Sequence, residues 1–187
     1  MAADCREINQ YLVDCVLKCI KWAERVLNIF LLILHVKTDF SSRRTTSYVI
    51  PNLLEYDVVF SLASIMDLYL IEGKDWFYET HKRTNQFSGT ETFYGDWKEH
   101  LNALVCHEIA HVFESMAKIE PYSKTIINEY YNIKPSNKRT HHHNRLWRLI
   151  YRDLRMLEDS QSNISSIVIP NEKGFDLFFN KGEYNEV

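Results

Sequence analysis

Between about Asp4 and Leu27, apolar side chains recur at Ile8, Leu12, Cys15, Cys19, Trp22 and Val26. Steps of three and four keep one side of an α-helix buried and leave the other to solvent, so this stretch predicts an amphipathic helix. The pattern then changes to the branched run "NIFLLILHVKTDF", closed by the turn-forming "SSRRTTS", which predicts a strand over about 29 to 38. A short second strand is expected near Tyr48. After Pro51, the positions Leu54, Val58, Leu62, Ile65 and Tyr69 return to helical spacing, and Gly73 is the expected stop. "DWFYETHKRTNQFSGTETFYG" places aromatic and branched residues on either side of a polar centre and predicts strand, turn, strand as far as Tyr94. Asp96 is a ready N-cap for a helix over about 97 to 118, with Pro121 beyond its end. A short helix over about 122 to 132 and the loop "NIKPSNKRT" lead to a further helix over about 141 to 157, where Trp147, Ile150, Leu154 and Leu157 share a face. "SSIVI" and "FDLFF" flank "PNEKG" as a hairpin within residues 160 to 187. The expected class is α+β, a small mixed sheet packed on helices.

Composition narrows this picture rather than redirecting it. With 187 residues, 45% hydrophobic and 25% charged, the chain suits one globular domain spanning 1 to 187 and neither a disordered nor a fibrous protein. A net charge of -3 argues against a globally basic nucleic-acid binder. The run "IFLLIL" is far shorter than the roughly 20 residues of a membrane span, and "MAADCREINQ" lacks a secretory signal pattern. The four cysteines, Cys5, Cys15, Cys19 and Cys106, form no CxxC pair, which fits a reducing compartment. The expectation is an intracellular protein with no membrane partner.

Candidate chemistry is concentrated in "ALVCHEIAHVFES". On a helix, His107 and His111 stand one turn apart on one side, while Leu101, Val105, Ile109, Val112 and Met116 form an apolar back. Two imidazoles so placed can converge on one Zn²⁺, and the adjoining Glu108 can reach a water that the metal acidifies to a pKa of about 7. Glu108 is then the candidate general base, passing the proton to a leaving amine.

A catalytic zinc requires a third protein ligand and an open fourth position. Two residues compete for the role. In "THHHNRLW", a helix begun near His141 puts His143 on the same face as Trp147, Ile150 and Leu154, and directs His141 and His142 elsewhere. Glu129, in "IINEYY", is the alternative, and resembles the third-ligand helix of thermolysin-like enzymes.

"LVCHEIAHVFE" followed by "HHHNRLWRLIYRDLR" resembles the SprT-like metallopeptidases, in which a histidine four residues ahead of an aromatic follows the His-Glu-x-x-His helix. His143 and Trp147 match that spacing. The resemblance covers 97 to 157 and, through "HVKTDFSSRRTTSY", extends weakly over 29 to 48; residues 50 to 85 match no named pattern. It implies a zincin-like fold, His107, His111 and His143 as zinc ligands, Glu108 as general base, and a protein or peptide substrate. The family often carries glycine after the third histidine, where this chain has Asn144, and many members append a cysteine zinc ribbon that this chain does not contain.

The expected activity is therefore zinc-dependent endopeptidase, with "FSGTETFY" as the sheet edge that receives substrate as an added strand; no oxyanion-stabilising residue is readable, and His100 and Tyr122, the two candidates for reaching the cleft, are expected instead to be ordinary surface or packing residues. A zinc-stabilised binding module without turnover is the alternative. A third reading starts from Arg145, Arg148, Arg152 and Arg155, which share one side of the predicted last helix, opposite His143, as a stripe able to contact DNA phosphates.

Overall fold

The computed structural model of the protein describes residues 5–29, 33–40, 47–52, 55–79, 91–134, 143–157, 166–171 and 174–179. In chain order these form helix α1 (Cys5–Leu27), strands β1 (Ile33–Asp39), β2 (Tyr48–Asn52) and β3 (Glu55–Ser61), and a short helix α2 (Ala63–Ile65) that widens into a π-turn over Met66–Ile71. Strands β4 (Trp76–Glu79) and β5 (Glu91–Tyr94) follow, then helices α3 (Trp97–Ile119), α4 (Pro121–Tyr130) and α5 (Arg145–Arg155), and strands β6 (Ser166–Asn171) and β7 (Gly174–Phe179). The architecture is mixed α+β.

Five strands make one sheet in the order β2-β3-β1-β7-β6, and β4 and β5 form a separate two-stranded sheet. β1 runs parallel to β3, with Val36 opposite Val58, and the remaining pairings are antiparallel. The expected C-terminal hairpin is present, and it also docks: β7 lies along β1, with Val36 opposite Phe175. Pro51 sits in β2, at the edge of this order, the place in a sheet where a missing N–H is tolerated.

α3 is the helix on which the others meet. It packs against α1, α4 and α5 and touches β2 and β3. Its apolar back, Leu101, Val105, Ile109, Val112 and Met116, is fully buried, and that burial places the opposite side of the helix toward α5. One apolar core joins α3 to Ile8, Leu12 and Ile20 of α1, Leu34 and Val36 of β1, Tyr56, Val58 and Phe60 of β3, and Trp147, Ile150 and Leu154 of α5.

Three elements differ from the sequence reading. The helix expected after Pro51 is strand β3 over Glu55–Ser61, and only Ala63–Ile71 is helical. A step of four residues returns to the same side of a helix, but it is also an even number, so it returns to the same face of a strand. Burial decides between them. Tyr56, Val58 and Phe60 alternate into the core and Val59 and Ser61 are buried as well, as befits a strand with neighbours on both edges and branched residues at its centre. The expected stop at Gly73 holds, and its φ of 64° is a conformation that glycine adopts without a Cβ penalty.

Pro121 does more than end α3. It occupies the first turn of α4, where its missing N–H leaves no bond unmade. Finally, α5 begins at Arg145 rather than near His141. Asn144 is its N-cap, accepting at Oδ1 from the Trp147 N–H at 3.0 Å, and His143 precedes the helix. His141 and His142 lie outside the described residues. No described helix is long and apolar enough to cross a membrane.

Candidate metal centre

α3 supplies two of the three imidazoles. Its start is fixed by Asp96, whose carboxylate accepts from the Lys98 and Glu99 N–H groups at 2.9 and 3.1 Å. Three turns further on, the His107 and His111 rings stand one above the other with centroids 5.1 Å apart. The third imidazole comes from the chain just ahead of α5. His143 Nε2 lies 3.2 Å from His107 Nε2, and one nitrogen from each of His107, His111 and His143 falls within 4.8 Å of the others.

Such a cluster could hold a metal ion. Two nitrogens at 2.0–2.1 Å from a tetrahedral Zn²⁺ are about 3.3 Å apart, close to the His107–His143 separation. Trp147 backs all three rings, with centroid distances of 4.7, 5.2 and 4.2 Å to His107, His111 and His143. It is fully buried and stacks on Tyr151 at 4.9 Å and 9°. The apolar face of α5 is thus the wall against which the imidazoles are set, which restricts their rotamers.

Two carboxylates on α3 differ in their surroundings. Glu108, expected to reach a metal-bound water, is buried, with 4% of its surface exposed. Burial pushes its carboxyl up to about 8, because a desolvated carboxylate is costly and the protonated form is favoured. Glu114 is equally buried but sits among donors. It pairs with His111 Nδ1 at 3.5 Å and Lys118 Nζ at 2.6 Å, and accepts from Asn144 Nδ2. Burial works to raise the Glu114 carboxyl, but hydrogen bonds from His111 and Lys118 and their charges outweigh it and hold the group below its ordinary value.

No family model matches the chain, and no curated protein or solved structure matches it.

Among the described residues, the three histidines are the one group of this kind. Glu129, the competing third ligand, lies on the exposed side of α4 and does not join them. Tyr122 is 63% exposed, and the His100 ring packs edge-on against Tyr69 at 5.7 Å. Of "FSGTETFY", residues 87–90 lie outside the described residues, and Glu91–Tyr94 form β5, paired with β4. The four arginines of the expected stripe differ in exposure: Arg145 is exposed, Arg148 and Arg152 are half-buried, and Arg155 is buried. Arg152 pairs with Asp153 at 3.0 Å and Arg155 with Glu99 at 3.5 Å.

Glu114 and the second role of Asn144 were missed in the sequence. A signal for Glu114 exists, since it stands three residues after His111 and four before Lys118, the spacings at which helical side chains touch. A helix begun near His141 puts Asn144 in its interior, where an asparagine side chain has no capping task.

Proposed function

We propose that the protein is a zinc-dependent endopeptidase of the SprT-like, zincin type, in which His107, His111 and His143 would hold the metal. The observation that carries this reading is the convergence of three imidazole nitrogens within 4.8 Å, two of them from the helix that also carries Glu108 next to His107. When bound, zinc supplies Lewis acidity and an acidified water as nucleophile. Glu108 takes the proton from the nucleophile and returns it to the leaving amine. Trp147 and Tyr151 exclude water from behind the imidazoles and keep them aimed at one point. A protein or peptide chain is the expected substrate.

A zinc-binding module without turnover is the second reading, and the burial of Glu108 favours it, because a general base must reach the nucleophile. One experiment separates the two. Purified protein is analysed for metal and assayed on an unfolded protein substrate, beside Glu108→Gln. The peptidase reading expects one equivalent of zinc in both proteins, with hydrolysis lost in the variant. Zinc without hydrolysis in the unmodified protein supports the binding module. Unchanged hydrolysis by Glu108→Gln sinks the general-base role, and absence of zinc sinks both readings.

A further inference from the structure

The Glu114 carboxylate lies outside the His-Glu-x-x-His motif, yet polar groups from two segments meet on it. Within α3 it pairs with His111 Nδ1 at 3.5 Å and with Lys118 Nζ at 2.6 Å. From the start of α5 it accepts from Asn144 Nδ2. Only 4% of Glu114 is exposed, so the acceptor is out of water even where a donor such as Lys118 is half-exposed, and a desolvated acceptor fixes its donors firmly.

Each contact has a consequence for the imidazoles. A carboxylate at Nδ1 keeps the proton of neutral His111 on that nitrogen, leaving the Nε2 lone pair for a cation. Asn144 is bound at both ends of its amide: Nδ2 gives to Glu114, and Oδ1 accepts from the Trp147 N–H at 3.0 Å. His143 is the residue immediately before it. The carboxylate that orients the second imidazole therefore also fixes the chain that delivers the third.

We infer that Glu114 is the positioning residue of this site, aligning His111 directly and His143 through Asn144 so that both meet His107 around a zinc-like divalent cation. The inference rests on the proposed zinc reading and adds to it a residue that touches neither metal nor substrate. The competing account makes Glu114 half of an i,i+4 pair with Lys118, with no bearing on the histidines. In that account Lys118 matters as much as Glu114; in ours it does not.

Zinc affinity is measured by competition with a chromophoric chelator for the unmodified protein, Glu114→Ala, Lys118→Ala and Asn144→Asp, with circular dichroism as a check on folding. Visible absorption of the cobalt(II)-loaded proteins reports the coordination geometry. Aspartate caps a helix as well as asparagine does, so Asn144→Asp keeps α5 while replacing the donor to Glu114 with a like charge. Glu114→Ala is expected to weaken zinc binding about 10- to 100-fold, the range typical of lost partners of metal-bound histidines, and to alter the cobalt(II) bands. Asn144→Asp is expected to follow it, and Lys118→Ala to stay within about twofold of the unmodified protein. If Glu114→Ala does not fold, Asn144→Asp and Lys118→Ala still decide between the accounts. Unaltered affinity and cobalt(II) bands in Glu114→Ala or Asn144→Asp, or an equal loss in Lys118→Ala, overturn the inference while leaving the zinc reading intact. Absence of zinc from the unmodified protein overturns both.

Discussion

His143 reaches the cluster from the position before the α5 N-cap, which makes its imidazole dependent on a loop and a cap as well as on a helix face. Replacing it with alanine should lower zinc affinity steeply, since water is a poor substitute for one of three protein ligands. Glu129→Ala should leave affinity nearly intact, because Glu129 is exposed on α4 and apart from the three rings. Chelator competition on the two variants checks this, and the reverse order would return the third-ligand role to Glu129. The residues that meet at the centre were legible in the sequence to different degrees. His107 and His111 declare themselves through a spacing of one helical turn. His143 shares a face with Trp147 on a helix begun near His141, whereas α5 starts after Asn144; it keeps company with Trp147 because a cap holds the preceding residue close to the first turn. Glu114 is only faintly legible as a partner of His111, since the spacing of three that brings the two together is shared by many acids near histidines, and the approach of Asn144 is what singles this one out.

Elements were read best where one period dominates. The long amphipathic runs of α1 and α3 and the apolar face of α5 have no strand-like interpretation, and the polar centres between β4 and β5 and between β6 and β7 mark their hairpins. β3 has a helix-like spacing because steps of four satisfy helix and strand alike, and the deciding quantity, burial, depends on elements distant in sequence that pack on the sheet, α3 among them. Caps offer a clean test at this scale. Asp96→Ala removes the acceptor for two N–H groups at the start of α3 and should cost about 1 kcal/mol of stability, read as a lower urea midpoint at unchanged slope. The α1–α3 interface gives another. Cys15, Cys19 and Cys106 are buried free thiols; burial pushes Cys15 up to about 12, and contact with Cys106 together with burial raises Cys19. A thiol whose pKa lies above the ambient pH stays protonated and is a poor nucleophile. Iodoacetamide at pH 8, followed by peptide mass mapping, should leave Cys15 and Cys19 unlabelled in the folded protein and modify them in urea; rapid labelling of Cys19 in the native state would contradict this packing.

Across the whole molecule, β1 is the strand on which the large sheet depends, with β3 on one edge and β7 on the other. The hairpin was visible in the sequence, but its destination was not, because register against a distant strand leaves no local pattern. Removing residues 160–187 should open the β1 edge and leave a row of unpaired backbone groups, which invites association with other chains. The shortened protein is expected to have a lower melting temperature and to form oligomers in sedimentation; a monomer of unaltered melting temperature would show that the β1–β7 pairing adds nothing. The same pairing has a bearing on biosynthesis. Ile33 lies opposite Phe178, so β1 leaves the ribosome long before its partner is translated, at a pace of about 5–20 residues per second. For that interval the nascent chain carries a half-finished sheet, and the β1 edge is open to whatever the cell presents to it, a chaperone or a neighbouring nascent chain, until the hairpin arrives to close it.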